Sequence, residues 1–431
     1  MSKRTNTKPL YNSTVPSDWT TPEFGEVFSF LKSFSFSREQ LTDQKTTDEI
    51  RNIHYGDIHA TYENEVLDFT VEKTVPYLMD GIINKKDFDD KEFPALKDGD
   101  LIIADASEDY EGVCDCVELK NVNGSKVISG LHTFAARGKA EKIAIGFRTY
   151  VLNHQQVVRE LRRLATGTSV YGVSKTNLST VKLPLPPLPE QKAIARVLST
   201  MDEVIAKINQ LIHKKELQKQ YLSQMLLNGK KRLKGFEKEK WKQIRIADVS
   251  KEVSIKNRDD KALTVLSCTK YDGLVPSLEY FGRKIFSDDL STYKVVPKNH
   301  FAYATNHIEE GSIGYQGILD EALISPMYTV FKTDSTVNDD FFFKLLKSHR
   351  CIYEYQNRME GSIDRRGGLR WDAFSIIKLH IPNKEEQAAI NLVLQKADRE
   401  IELLENQVNK LKEQKKGMMQ VLLTGKKRLK I

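Results

Sequence analysis

The feature that most constrains this chain is a nine-residue string that occurs twice. "LLNGKKRLK" occupies residues 226–234 and "LLTGKKRLK" occupies residues 422–430, and eight of the nine letters agree. At an offset of 196 residues the match extends upstream without a gap over 190–234, with 20 identities in 45 positions. Unrelated charged helices would not keep one register over that length, so the chain contains an internal duplication.

Both copies of the repeat are predicted to be long helices, because apolar residues recur at spacings of three and four. A narrow apolar seam between charged faces is typical of a coiled coil. The alternative is an amphipathic helix packed on its own domain. About 38 residues would form a rod roughly 57 Å long. We expect the seam to contain Ile194, Val197, Met201, Val204, Ile205, Ile208 and Leu211 in the first copy, and Ile390, Val393, Ala397, Ile401 and Leu404 in the second.

Local signals mark the ends of both helices. The prolines of "KLPLPPLPEQ" (182–191) exclude helix until about Pro189, which can occupy the first turn. Gly229 and Gly425 stand where a C-terminal cap belongs. The adjoining lysines and arginines suit the negative end of the helix dipole, or they contact a phosphate backbone or an acidic partner.

Each helix follows a longer segment of different character. Residues from about 18 to 182 and from about 240 to 378 contain short β-type runs, such as "DLIIADA", "KVISGLHTF", "KAEKIAIGF", "KNHFAYAT" and "MYTVFK". Helical patterns are interleaved at 154–164 and 340–356. We therefore predict four parts: a domain over 1–185, a helix over 186–234, a domain over 235–382 and a helix over 383–431.

Composition excludes several classes of protein. With 40% apolar and 29% charged residues the chain is not of a disordered type, and no apolar run is long enough to span a bilayer. The N-terminus lacks the apolar core of a secretory signal. Four cysteines among 431 residues form neither a disulfide framework nor a zinc set, so we expect a reduced, cytoplasmic protein without a metal site. A net charge of +7 is compatible with nucleic-acid binding and does not require it.

The arrangement of domain, helix, domain and matching helix resembles the specificity subunit of type I restriction–modification systems over essentially the whole chain. The similarity is carried by "LPLPPLPEQKAIARVLSTMDEVI" with "LLNGKKRLKGF", and by "KLHIPNKEEQAAINLVLQKADREI" with "LLTGKKRLK". "IRNIHYGDIHATY", "SGLHTFAARG" and "YKVVPKNHFAYATN" also resemble strand-and-loop segments of the target recognition domains of that family. The second copy departs from "PLPEQ" by having "PNKEEQ", which leaves the start of its helix open.

The resemblance implies an α+β fold: two α/β target recognition domains separated by two long antiparallel coiled-coil helices in a pseudo-twofold arrangement. It implies a subunit without catalytic residues that recognises a bipartite, asymmetric site in double-stranded DNA, one half-site per domain. The helices would set the unread spacer and bind methyltransferase subunits, two of them if both helices offer equivalent surfaces. Motor–nuclease restriction subunits would join the assembly. S-adenosylmethionine, ATP and Mg would be bound by these partners, and no cofactor by this chain.

An enzyme is the rival class, and its usual motifs are missing. The one Pro-Pro pair, Pro186-Pro187, has no Asn, Asp or aromatic residue in the positions that an amino-methyltransferase loop requires. No phosphate-binding G-x-x-x-x-G-K-[S/T] string is present. Asp100, Glu118 and Lys120 imitate the spacing of a metal-dependent nuclease, but such a pattern is common by chance in a chain with 29% charged residues.

Candidate DNA contacts are Arg, Lys, Asn, His and Tyr side chains on glycine-rich or polar loops. For each of them a solvated loop charge or a local hydrogen bond is the alternative. They are His54, Tyr55, His59, Arg137, Tyr171 and Lys175 in the first domain, and Lys270, Tyr271, Asn306, His307, Arg365, Arg366 and Arg370 in the second.

A second hypothesis is a scaffold whose helices join two binding modules without DNA specificity. The two hypotheses differ in the salt dependence of duplex binding, because phosphate contacts release counterions.

Overall fold

The computed structural model describes residues 6–62, 64–83, 95–259, 261–359 and 368–429. The chain divides into a first unit, Met1–Asn209 with Asn406–Ile431, and a second unit, Gln210–Glu405. Each unit contains one β domain and half of each long helix. Among the described residues no helix has both the length and the apolar character needed to cross a membrane.

The β domain of the first unit precedes the first long helix. Its strands are β1 (Thr7–Leu10), β2 (Ser13–Pro16), β3 (Phe28–Leu31), β4 (Leu41–Thr42), β5 (Ile50–Ile53), β6 (Val66–Asp68), β7 (Tyr77–Leu78), β8 (Leu101–Ala104), β9 (Ala106–Ser107), β10 (Cys116–Lys120), β11 (Lys126–Ser129), β12 (Thr133–Gly138) and β13 (Tyr171–Gly172). Its helices are α1 (Phe24–Val27), α2 (Tyr55–Ala60), α3 (Arg148–Leu152), α4 (Gln155–Leu164) and α5 (Lys175–Ser179), with a 3-10 turn at Arg38–Gln40.

The two long helices are α6 (Leu188–Leu227) and α11 (Lys384–Leu422). Between them the second unit has strands β14 (Lys242–Arg245), β15 (Ser250–Val253), β16 (Ile255–Lys256), β17 (Val265–Thr269), β18 (Gly273–Pro276), β19 (Lys294–Pro297), β20 (His300–Ala304), β21 (Ile313–Gln316), β22 (Glu321–Ile324), β23 (Tyr328–Thr333) and β24 (Lys378–Ile381). It also has helices α7 (Ser277–Phe281), α8 (Asp339–Leu346), α9 (His349–Arg358) and α10 (Trp371–Ser375), and 3-10 turns at Ile246–Asp248 and Ile308–Glu310.

The central sheet of the first β domain has the strand order β3-β12-β8-β10-β6. All four residues of β8 are buried because the sheet is covered on both faces. Leu101 and Ile103 pack in one core with the helices, whereas Ile102 and Ala104 pack in a second core. A second sheet, β11-β5-β7-β4, contains the parallel pair β5 and β11.

The second β domain repeats the central part of this topology although its sequence does not align with the first. Its central sheet, β15-β23-β20-β21, matches β3-β12-β8-β10 in strand order, and neighbouring strands are antiparallel in both. Its other sheet, β16-β19-β22-β17-β18, contains the parallel pair β17 and β22, which corresponds to β5 and β11. The two β domains are therefore structural equivalents with divergent sequences.

Each β domain is attached to a long helix through a buried glutamine. The Ala144 amide donates to Gln191 Oε1 (2.8 Å), and Gln191 Nε2 donates to the carbonyl of Pro186 (2.8 Å). In the second unit the Asn338 amide donates to Gln387 Oε1 (2.8 Å), and Gln387 Nε2 donates to the carbonyl of Pro382 (3.0 Å). The segments that contact these glutamines follow β12 and β23, so one end of each central sheet, here called the helix end, faces a long helix.

In each unit the arginine of the repeated basic string binds the first turn of the long helix from the other copy of the repeat. In the second unit Arg232 forms two hydrogen bonds of 2.7 Å with Glu386, and its guanidinium lies 5.8 Å from the Trp241 ring centroid. In the first unit Arg428 bonds both oxygens of Glu190, at 2.5 and 2.6 Å, and lies 5.9 Å from the Trp19 centroid. Arg232 and Arg428 are equivalent at the 196-residue offset, as are Glu190 and Glu386.

Further pairs confirm that the long helices pack antiparallel within each unit. In the first unit Asp202 of α6 binds Lys415 of α11 (2.5 Å), while residue 190 is matched with residue 428. In the second unit Lys219 of α6 pairs with Asp398 of α11, and Lys215 with Glu400 (2.7 Å). Residue numbers rise on one helix as they fall on the other, as expected from the family resemblance.

The helix ends behave as their sequence signals predict. The two helices start at equivalent residues, Leu188 and Lys384, so the altered string "PNKEEQ" does not shift the second helix. There Asn383 Oδ1 accepts the Glu386 amide (2.9 Å), as an N-terminal cap. Gly229 and Gly425 adopt left-handed φ values of 71° and 67° at the C-terminal ends.

Three local expectations from the sequence are wrong. The run "KAEKIAIGF" (139–147) is not a strand: Ile143, Ala144 and Phe147 are buried, while its backbone amides serve Gln191 and Glu118. The loop "NIHYGDIHATY" contains the short helix α2. The helical pattern at 340–356, by contrast, is confirmed, with one interruption where Ser348 caps α9. Val204 and Leu211 are exposed (39% and 41%) instead of lying in the seam.

The remaining predicted seam residues face away from solvent. Ile194, Ile205, Ile390 and Ile401 are buried. Six others are partly buried: Val197, Met201, Ile208, Val393, Ala397 and Leu404. The exposed large apolar side chains of the described parts of the long helices are Val204, Leu211, Leu217, Tyr221, Leu392 and Leu403.

Lys415 lies in a buried polar cluster that its counterpart Lys219 lacks. Its ammonium contacts Glu65 and Asp202, both at 2.5 Å, and the Tyr150 hydroxyl donates to Asp202 (2.6 Å). Burial alone would lower the pKa of Lys415, but the two carboxylates outweigh it and raise the pKa. The side chain of Lys415 is 9% exposed, whereas those of Lys219 and Asp398 are each 42% exposed.

We expect Lys415→Met to destabilise the first unit by about 3–5 kcal/mol, because Asp202 and Glu65 would remain buried without their cation. Lys219→Met, at the equivalent position, should change the stability of the second unit by less than about 1 kcal/mol. Hydrogen exchange of residues 190–205 and 390–401, followed by mass spectrometry, measures each effect. Equal losses for the two variants would contradict the difference in burial.

His154 makes the first unit sensitive to acid. Its Nδ1 accepts the Gln156 amide (3.2 Å) and so caps α4, and burial lowers the pKa of the imidazole to about 4. Protonation would remove the acceptor and bury a charge. The unfolded chain binds this proton near pH 6.5. The stabilisation by the neutral His154 cap is therefore fully present above that pH and is lost as the pH falls from about 6.5 to about 4.

We therefore expect the stability around α4 to fall by up to about 3 kcal/mol over that pH range. His154→Asn keeps a capping acceptor that does not titrate, and should remove this part of the acid sensitivity. Hydrogen exchange of residues 148–164 at pH 4.5 and 7 compares the two proteins. An identical pH dependence in both would exclude His154 as the cause.

Candidate nucleic-acid interface

Three chain segments meet at the same end of each central sheet, opposite the helix end. In the first domain they follow β5, follow β8 and link β11 to β12; these are residues 54–60, 105–115 and 130–132. The corresponding segments of the second domain are 270–272, 305–312 and 325–327. We call each set the loop end of its domain. Loop ends that stand on a rigid sheet are common binding surfaces.

An aromatic cluster occupies the loop end of the first domain. The Tyr55 ring centroid lies 4.7 Å from His54, 6.2 Å from His59 and 5.5 Å from His132. The structure thus brings the candidates His54, Tyr55 and His59 together, and it adds His132. Sequence analysis did not select His132, although the string "SGLHTFAARG" contains it; its exposed position between two strands could not be recognised without the sheet.

Acidic partners orient two of these histidines. His59 Nδ1 lies 3.2 Å from Asp115, a hydrogen bond that raises the pKa of the imidazole, whereas burial lowers the pKa of His54. His132 Nδ1 lies 3.3 Å from the Asp105 carboxylate, and the Asp105 amide donates to the His132 carbonyl (3.1 Å). Burial raises the pKa of Asp105, opposed by His132 and Lys175.

Two further candidates of the first domain lie beside this cluster. The Tyr171 ring is 5.3 Å from that of Tyr110, and β13 pairs with β9 in the segment after β8. Lys175 Nζ lies 5.4 Å from the centroid of Phe134, the second residue of β12. Arg137 is separate from them. It lies at the helix end of β12 and forms two hydrogen bonds with Asp100, at 2.8 and 2.6 Å.

Two candidates of the second domain, Lys270 and Tyr271, lie in the segment after β17 at its loop end. Lys270 Nζ is 5.3 Å from the Tyr271 ring centroid, and Tyr271 is 80% exposed. The Lys347 ammonium supports this segment by donating to the carbonyls of Lys270 (2.8 Å) and Tyr271 (3.3 Å). This position follows β17, as His54 and Tyr55 follow the equivalent strand β5.

A second group of candidates adjoins the segment after β20. The Leu369 amide donates to the Thr305 carbonyl (2.9 Å), which places exposed Arg370 at the loop end. A Cβ at Gly368 would lie 2.7 Å from Asn306 Oδ1, so glycine permits this close approach. His307 is exposed, with its Nδ1 3.7 Å from Glu310. Arg365 and Arg366 lie outside the described residues.

Both loop ends carry a mixture of polar, charged and aromatic side chains. The first combines three imidazoles and tyrosines with Asp105 and Asp115, and the second combines Lys270, Asn306 and Arg370 with carboxylates. Such a mixture offers hydrogen-bond donors and acceptors, the groups that distinguish base pairs in the major groove.

Comparison with known proteins identifies the family. Residues 16–219 match the family model described as the type I restriction modification DNA specificity domain. The chain is 24% identical to the type I restriction enzyme MjaVIII specificity subunit of Methanocaldococcus jannaschii, over 99% of this chain and 97% of that one. It is also 24% identical to the putative MjaX specificity subunit of the same organism, over 99% and 98%.

Residues 16–219 belong to the family of type I restriction modification DNA specificity domains, and the chain is similar to type I specificity subunits over nearly its whole length. Solved structures share its fold across nearly the whole length. The HsdS subunit from Thermoanaerobacter tengcongensis gives a TM-score of 0.52 at 15% identity, with 96% of this chain and 99% of that chain covered. A chain from a study of complex assembly and conformational transition in the type I R-M system gives 0.57 at 13% identity, with the same coverage.

The three residues that imitate a nuclease site, Asp100, Glu118 and Lys120, have structural partners. Asp100 is bound by Arg137, and Lys120 reaches Asp68 (3.4 Å) and Glu203 (3.3 Å). Glu118 is buried and accepts backbone amides of residues 146, 148 and 149. Burial raises the pKa of Glu118 to about 7. Through these contacts all three side chains stabilise the fold.

Lys270 offers a direct test of the loop end in the second domain. We expect Lys270→Ala to weaken duplex binding and to reduce the slope of log K against log salt by about 1, the loss of one phosphate contact. Lys332→Ala is the matched control, because Lys332 is an exposed lysine toward the helix end of β23. Fluorescence anisotropy at several salt concentrations gives both slopes. An equal decrease for the control would contradict the assignment.

Proposed function

We propose that this chain recognises a bipartite, asymmetric site in double-stranded DNA, with one half-site bound by the loop end of each β domain. The observation that carries the proposal is the equivalence of the two β domains. They share four central strands and one parallel strand pair, and they present three corresponding segments at the loop end, yet the side chains on those segments differ. Equivalent scaffolds with different contact residues suit two different half-sites.

The long helices would determine the length of the spacer and bind methyltransferase subunits. The reciprocal pairs Arg232–Glu386 and Arg428–Glu190 give each unit the same combination of one helix start and one helix end. Two equivalent surfaces suit two copies of one partner. Restriction subunits would complete the assembly. S-adenosylmethionine, ATP and Mg belong, in this proposal, to those partners.

Methylome sequencing of the host with and without this chain tests the proposal. We expect a split motif, two short specified sequences separated by unspecified bases, that disappears when the chain is deleted. Absence of any such motif would contradict the proposal. The alternative is a scaffold without DNA specificity, which would show no salt-dependent affinity for duplex DNA.

A change in helix length should alter the spacer alone. One additional turn of four residues in both α6 and α11 lengthens each helix by about 6 Å. We expect the methylated motif to acquire a longer spacer with both half-sites unchanged, because the loop ends are untouched. The same methylome experiment measures this. An inserted variant that retained the original spacer would refute the role of the helices.

A further inference from the structure

The links between β11 and β12 and between β22 and β23 occupy equivalent places in the two β domains. Each has three residues, 130–132 and 325–327. Each connects the second strand of a parallel pair to the central sheet, where Thr133 is opposite Ala104 and Tyr328 is opposite Ala304. The last residue of each link, His132 or Met327, therefore lies at the loop end in the same position of the topology.

The backbone at these two residues is held in the same way. The His132 carbonyl accepts the Asp105 amide (3.1 Å), and the Met327 carbonyl accepts the Thr305 hydroxyl (3.0 Å). Asp105 and Thr305 directly follow the equivalent strands β8 and β20. The side chains are left in solvent: that of His132 is 53% exposed, and Met327 is 63% exposed. A fixed backbone with an exposed side chain suits a contact residue.

Neither residue is explained by folding. His132 has a left-handed φ of 51°, a conformation in which glycine would avoid strain. Strain of this kind is concentrated at functional sites. Met327 exposes an apolar side chain on a short link, where it adds nothing to a core. The two positions share a backbone but differ in chemistry, as expected of residues that distinguish two half-sites.

The chemistry of each side chain indicates what it would bind. The Asp105 carboxylate accepts a hydrogen bond from His132 Nδ1, so in the neutral imidazole Nε2 is an acceptor. An acceptor in the major groove pairs with the amino group of adenine or cytosine. Met327 forms no comparable hydrogen bond, and its thioether chain suits the methyl group of thymine.

We infer that His132 and Met327 are specificity-determining residues at equivalent positions of the two half-sites. His132 recognises the amino group of an adenine or cytosine in one half-site, and Met327 recognises the methyl group of a thymine in the other. The inference rests on the proposed function, because it assigns individual base contacts within the proposed DNA interface.

The test is the methylated motif of hosts that carry the complete system with His132→Gly or Met327→Ala. Glycine suits the left-handed backbone at 132, so the first variant should fold. We expect discrimination at one position of one half-site to fall about 5- to 150-fold for each variant, the loss of one base contact. The other half-site and the spacer should not change. The matched controls Ile145→Ala and Ile318→Ala alter exposed isoleucines (60% and 87%) away from the loop ends and should leave the motif intact.

Relaxation at a single position in different half-sites by the two variants, with intact control motifs, supports the inference. Unchanged motifs in both variants would overturn it while leaving the proposed function standing. Loss of the whole motif with an unchanged circular dichroism spectrum would also overturn it, because one base contact affects one position. A wild-type host without any split motif would instead contradict the proposed function itself.

Discussion

The structure depends on an ion pair that the chain forms twice, between an arginine after one long helix and a glutamate in the first turn of the other. Glu190 and Glu386 are buried, so each requires a cation to compensate for the loss of water. Arg428 and Arg232 supply it through paired hydrogen bonds and also lie over Trp19 and Trp241. The repeated basic string is therefore the complement of a repeated acidic helix start.

The length of each β domain separates its attachment to the long helices from its loop end. Gln191 and Gln387 hold the helix end, where the two copies of the repeat retain the same residues. The loop end lies at the other end of strands such as β12, whose six residues extend about 20 Å. Substitutions at the loop end therefore do not reach the buried ion pairs. The β domains could diverge in sequence while their topology and their attachment to the helices stayed the same.

The parts of the fold that were predictable from sequence are those governed by local periodicity. The helical period and the 196-residue offset located both long helices, and Gly229 and Gly425 end them in the predicted left-handed conformation. Residues 139–147 were mistaken for a strand because their apolar side chains pack on a core without a strand partner. Val204 and Leu211 have the right spacing for the seam, but Ile205 is the buried residue on that turn.

The candidate site was only partly predictable for a related reason. His54, Tyr55 and Lys270 could be selected because their residue types and their neighbouring turns are typical of contact loops. The equivalence of these positions in the two domains could not be recognised from sequence, because the pairing of β5 with β11 and of β17 with β22 joins residues that are distant in sequence. His132 carries no local signal for a left-handed backbone. Its importance follows only from the ring of Tyr55 and the carboxylate of Asp105 beside it.

A double-mutant cycle on Arg428 and Glu190 measures the central interaction most directly. Arg428→Met, Glu190→Gln and the double variant, compared with the wild type by hydrogen exchange of the first unit, give the coupling free energy. Reciprocal packing predicts a coupling of about 1.5–3 kcal/mol for this pair, and less than about 0.5 kcal/mol for Arg428 with Glu386, the glutamate of its own copy of the repeat. Strong coupling of Arg428 to Glu386, or none to Glu190, would contradict the account.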